Sequence, residues 1–188
     1  MQRDDDVSTT ATPAASDSRP LTPSERSVAE FVFGKALNID PIVIKESAAM
    51  AVGGYVRTLP DTIYVAPGTK DTISTDLLVH ELTHCAQYQH GVSRVVTAAY
   101  AIQAHYDYGG EQGLRDAIAA KKCFDHFNTE QQADIVRDYY LQVVSGASTY
   151  SWSVFVDQVR AQGACIWPSQ PASSPDQPLS TPPGSASA

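Results

Sequence analysis

Methionine and cysteine are rare in this chain, basic residues are outnumbered by acidic ones, and no long apolar run occurs; each shortage removes a class of protein. The three cysteines, Cys85, Cys123 and Cys165, are too few and too scattered for a disulfide framework or a thiolate zinc site. A single Cys123–Cys165 bond stays open, and Cys85 reads as a small core residue. Thirteen Lys and Arg against 21 Asp and Glu leave a net charge of −8. That balance argues against a nucleic-acid partner, because phosphate backbones are bound by basic patches. No stretch is apolar for long enough to cross a bilayer, so no membrane span is expected. The Asp-rich start, Gln2-Arg3-Asp4-Asp5-Asp6, has neither the charge nor the apolar segment of a classical secretion signal. Residence in the cytoplasm of the producing cell is the expectation.

What is present suits one globular domain. With 188 residues, 43% hydrophobic and 18% charged, the chain can build its own core. Residues 1–20 are rich in Asp, Ser, Thr, Ala and Pro, and residues 168–188 in Pro and Ser; both are expected to be disordered tails around a domain at 21–167. Thr22 followed by Pro23 predicts a capped helix running through Val28, Phe31, Val32 and Phe33 to Gly34. β-branched runs at 41–45 and 62–66 predict strands, and 52–56 a third strand or a turn. Further helices are expected at 92–105, 114–121, 130–144 (capped by Asn128 or Thr129) and 153–162. The fold class is α+β, mostly helical, with a small mixed sheet ahead of one central helix.

That helix carries the chemistry. Val79-His80-Glu81-Leu82-Thr83-His84-Cys85 sits in an apolar run, with Ser74 and Thr75 able to cap its start, Asp76 suited to its positive end and Gly91 offering a stop. At a rise of about 1.5 Å and a turn of about 100° per residue, His80 and His84 lie on one face, so two imidazoles can meet one zinc ion. A catalytic zinc takes three protein ligands and leaves a fourth position for water. Glu81 projects beside the metal, where its carboxylate can take a proton from that water. The five-residue pattern also arises by chance on helices whose histidines are merely half-buried, so a third ligand decides the reading.

His90 has the spacing of the third histidine in the metzincin pattern His-Glu-x-x-His-x-x-Gly-x-x-His, but Gln87 stands where that pattern turns on glycine. If the helix continues, His90 is carried about 9 Å past His84. With only Met1 and Met50, a downstream methionine turn is excluded as well. Glu130 fits better. Glu130 and Asp134 are one helical turn apart, so the first can bind zinc while the second accepts a hydrogen bond from the free ring nitrogen of a liganding histidine. A helix start with acidic residues in its first turns would also explain both. Asp107 and Glu111, in a Gly-rich stretch, are weaker choices.

These residues resemble known families. His80-Glu81-Leu82-Thr83-His84 with Glu130 and Asp134 downstream resembles the gluzincin arrangement, in which two histidines and a later glutamate hold the metal and an aspartate four residues on lies behind them. Ile63-Tyr64-Val65-Ala66-Pro67-Gly68, then Leu77 through Gln87, is similar to the metallopeptidase-like domain (DUF4157) in cargo of extracellular contractile injection systems. Leu21-Thr22-Pro23-Ser24-Glu25 with Phe33-Gly34, the His80 motif, and Glu130-Gln131-Gln132-Ala133-Asp134-Ile135-Val136-Arg137 resemble, in that order, the small bacterial proteins called Vgr-related, associated with type VI secretion. The resemblance implies a zincin-like fold, a bacterial source, zinc as cofactor, and a secreted toxic effector carried by a contractile injection system. The partners it implies are a protein or peptide substrate, a secretion spike component and a cognate immunity protein. Gluzincin peptidases also supply a histidine or tyrosine for the oxyanion, which no motif here identifies; Tyr139, Tyr140, His105 and His126 are candidates, with packing as the default.

The expected activity is zinc-dependent peptide hydrolysis, with His80, His84 and Glu130 on the metal, Glu81 as base and proton donor, and Asp134 behind a histidine. Two other classes stay open. One is a catalytically idle zincin-fold interaction or loading module of an injection apparatus, against which the intact Glu81 speaks; the other is an immunity or adaptor protein without metal.

Overall fold

The computed structural model describes residues 16–93 and 106–167. Within them the chain runs β1 (Ser18–Pro20), α1 (Pro23–Phe33), β2 (Val43–Glu46), β3 (Arg57–Leu59), β4 (Thr62–Val65), α2 (Thr75–Gln89), α3 (Gly110–Ala119), α4 (Thr129–Ser145) and α5 (Tyr150–Arg160). The class is α+β, as composition and periodicity lead one to expect. α1 opens on a reciprocal cap: Thr22 accepts from the Glu25 amide at 3.3 Å while Glu25 accepts from the Thr22 amide at 2.7 Å.

The four strands form one mixed sheet in the order β1-β2-β4-β3. β2 and β4 are parallel, and β1 and β3 flank them antiparallel. Ile44 and Ile63 lie side by side in the ladder and are fully buried, so their face of the sheet looks into the helical layer. Thr58 on β3 pairs across from Ile63 and is therefore turned to the same inner side. That orientation matters because α2 packs over β3 and, more extensively, along α4. Leu78, Val79 and Leu82 fix α2 in this sandwich; all are wholly buried, a contribution of about 1.5–3 kcal/mol for each large apolar side chain.

Several boundaries differ from the sequence expectation. Ser18–Pro20, read as part of a disordered tail, form β1 because β2 offers them an antiparallel edge. Val52–Gly54 is a short 3₁₀ turn, with Gly53 at φ +70° and Gly54 at φ +83°, and the third strand lies just beyond it in β3. α3 starts at Gly110, ahead of the expected Leu114, and α5 at Tyr150, ahead of Ser153. The early start of α3 requires Gly113, where a Cβ would lie 2.1 Å from the Tyr108 carbonyl oxygen. Cys123 and Cys165 form a disulfide, and Cys85 is free and buried. No helix among the described residues is long and apolar enough to cross a membrane. The helix expected over 92–105 lies almost wholly outside the described residues, as do residues 1–15 and 168–188.

Candidate metal centre

α2 and α4 bring three side chains to one point. His80 and His84, one turn apart on α2, present their Nε2 atoms at 3.5 and 3.4 Å from Oε2 of Glu130. A ligand atom from each lies within 4.8 Å of the others, and all three residues are buried. Glu130 is delivered by the way α4 begins: Asn128 accepts from the amides of Glu130 and Gln131 at 3.0 and 2.9 Å, and Gln131 returns a bond to the Asn128 amide. The capped helix start and the carboxylate at the centre are thus one arrangement.

The outward ring nitrogens are held as well. His80 Nδ1 lies 2.9 Å from Asp134 Oδ1, and Asp134 is in turn braced by Arg137 at 2.7 Å. His84 Nδ1 lies 2.9 Å from Gln87 Oε1. Asp134, as a carboxylate, accepts from His80 Nδ1, and both rings turn Nε2 inward toward Glu130. Two imidazole nitrogens and a carboxylate oxygen, converging from two helices, are a donor set that suits zinc.

Charge reinforces the arrangement. Burial pushes the His80 imidazolium down, but hydrogen bonds to Asp134 and Glu130 and the nearby Glu81 charge outweigh it and hold its pKa up at about 9. His84 is raised too, burial again being overcome by Glu130 and by the charge of Glu81. Burial alone would raise Glu130, yet the two imidazoles drive it down to about 2. A proton and a cation compete for the same inward lone pairs.

Glu81 is buried beside the trio and is not part of it. Its Oε2 accepts a 2.6 Å hydrogen bond from the Thr58 hydroxyl on β3. Sequence reasoning did not reach Thr58, Gln87 or Gln132, since each meets its partner only through the fold. Tyr106, 39% exposed, lies in the field of the centre: burial first, then the charges of Glu130, Asp134 and Glu81, push its hydroxyl up.

The remaining candidates are placed elsewhere. His90 caps the end of α2 and its Nε2 sits 2.7 Å from the Ala36 carbonyl oxygen, away from the trio. Asp107 accepts from the Gly109 amide, and Glu111 pairs with Arg115 on the outside of α3. Tyr139 is buried against Phe31 with the Arg160 guanidinium over its ring, and Tyr140 is partly buried against the core. His126 is exposed in a 3₁₀ turn, and His105 lies outside the described residues.

Comparison with known proteins gives two likenesses. The chain is 29% identical over 140 residues to the type VI secretion system spike protein VgrG2b of Pseudomonas aeruginosa. That alignment takes in 69% of this chain and 14% of the spike protein, so the chain spans a small part of the curated relative it matches. The solved structure of the effector domain of Pseudomonas aeruginosa VgrG2b superposes with a TM-score of 0.55 at 28% identity, over 77% of this chain and 85% of that one. No family model matches the chain.

Proposed function

We propose that this chain is a zinc-dependent peptidase of the gluzincin type with a zincin-like fold, acting as a bacterial effector delivered by a type VI-like secretion apparatus. The observation that carries the chemistry is the convergence of His80, His84 and Glu130 with a buried carboxylate, Glu81, beside them but outside the trio. Likeness to a spike-protein effector domain supports the delivery route and a spike component as partner.

His80, His84 and Glu130 would hold the metal. When bound, zinc supplies Lewis acidity, which makes water a competent nucleophile near neutral pH. Glu81 takes the proton from the attacking water and returns it to the leaving amine. Thr58 occupies one carboxylate oxygen of Glu81, which leaves the other for that transfer. Asp134 keeps the His80 ring oriented from behind. β3 is an outer strand of the sheet, and its position beside Glu81 suits an extended peptide added as a further strand. The substrate is accordingly a protein or peptide. Partnership with the spike also suits a loading module that performs no catalysis, but such a module has no use for a base held by a dedicated hydroxyl.

Glu81→Gln is the test. The variant keeps its zinc, measured by mass spectrometry of the purified protein, and loses peptide cleavage and toxicity in target cells. Full activity, or loss of zinc, would refute the role given to Glu81.

A further inference from the structure

The two imidazoles are backed by unlike groups. His80 has the Asp134 carboxylate, whereas His84 has an amide, Gln87, one turn further along α2 and buried. An amide can turn either its oxygen or its nitrogen to a ring, so the His84 contact alone leaves the proton unassigned. The other end of Gln87 assigns it. Gln87 Nε2 lies 2.9 Å from the backbone carbonyl oxygen of Thr129 and 2.9 Å from Gln132 Oε1. A backbone carbonyl only accepts, so the nitrogen belongs there and the oxygen faces His84. Gln132 is oriented in the same way: its Nε2 donates to the carbonyl oxygens of Phe124 at 3.1 Å and Phe127 at 2.9 Å, which turns its oxygen toward Gln87. Reversing either amide would set oxygen against oxygen at a backbone carbonyl.

We infer that Gln87 and Gln132 are positioning residues, two amides in series anchored on three backbone carbonyls, that hold His84 with its proton on Nδ1 and keep Nε2 open to a cation. The inference rests on the metal site proposed above and deepens it. The pair does a second task, because the Thr129 carbonyl it grips belongs to the residue before Glu130. One side chain thus orients the second histidine and ties α2 to the turn that delivers the carboxylate. An amide does this without adding charge, whereas Asp134 behind His80 adds one.

The test uses the full chain and zinc affinity, measured by competition with a chromophoric chelator, so that no substrate is needed. Gln87→Leu lowers affinity by about 10- to 100-fold, the usual cost of removing an outer partner. Gln132→Leu, which touches no ligand, lowers it to a smaller extent in the same direction. Gln87→Glu, which restores an acceptor for His84 Nδ1, binds zinc more tightly than Gln87→Leu. In the zinc-loaded wild type, long-range proton–nitrogen NMR shows the His84 proton on Nδ1; this readout stands whether or not a variant folds. Wild-type zinc affinity in both leucine variants overturns the inference alone, whereas a His84 proton on Nε2 takes that nitrogen off the metal and overturns the inference together with His84 Nε2 as a ligand. A wild-type chain that takes up no zinc overturns the proposed function and this inference with it.

Discussion

Replacing Thr58 by Val tests whether the proposed base, Glu81, is held by the sheet. Val has nearly the shape of Thr and lacks only the hydroxyl that donates to Glu81 at 2.6 Å, and both residues are at most 7% exposed. A hydrogen bond to a charged group contributes about 1.5–3 kcal/mol. If that energy keeps the carboxylate in its working orientation, its loss at the transition state corresponds to a fall in kcat of about 10- to 150-fold. Stability falls with it, since a buried carboxylate loses its donor, and a domain of this size loses about 2–4 °C in Tm per kcal/mol. KM and zinc content stay unchanged, because Thr58 touches none of the three metal-site residues. Thr58→Ser, which keeps the hydroxyl, restores kcat. Steady-state kinetics on a peptide substrate, beside zinc analysis of the same preparations, reads all of this. A Thr58→Val protein with wild-type kcat, or a Thr58→Ser protein as slow as Thr58→Val, refutes the reasoning.

Stability of the chelator-treated protein depends on pH from both sides. His80 is raised from 6.5 to about 9, so its contribution is complete below pH 6.5 and is lost as pH climbs toward 9. Glu130 is lowered from 4.5 to about 2, so its contribution is complete above pH 4.5 and is lost as pH falls toward 2. Since both shifts describe one shared contact, Tm by differential scanning fluorimetry peaks between these limits; a Tm that rises from pH 6.5 to 9 contradicts the assignment. Zinc affinity moves the opposite way over that upper interval, because binding displaces the proton. Glu130→Ala removes the only carboxylate of the trio and lowers zinc affinity by more than the about 10- to 100-fold typical of an outer partner, checked by chelator competition. Gly113→Ala sets a Cβ against the Tyr108 carbonyl and costs about 1–3 kcal/mol in urea unfolding, with zinc content unchanged.

The parts of the centre that lie on long helices were legible before any coordinates. His80 and His84 share a face by the period of α2, and Glu130 and Asp134 by that of α4, so two short spacings sufficed to nominate all four. The small sheet was harder. β3 has three residues, Arg57–Leu59, too few for an alternating pattern to declare itself, and Thr58 meets Glu81 only because it pairs across from Ile63. Gln87 was read only as the residue that breaks a glycine-turn pattern. Its amide matters because α4 crosses at that height and offers the Thr129 carbonyl, a tertiary fact with no local signature. Likewise, Ser74 stands at the start of α2 without a side-chain capping bond, so residue type located the boundary though not the interaction.

The Cys123–Cys165 bond closes a ring with a sequence separation of 42, and α4, with Glu130 and Asp134, lies wholly inside it. The histidines of α2 lie outside. Opening a ring of that size frees the unfolded chain by about 4 kcal/mol in the chain-entropy account. Reduction therefore acts through the unfolded chain and lowers the stability of the packed domain as a whole, the histidines of α2 included, because α2 lies along α4.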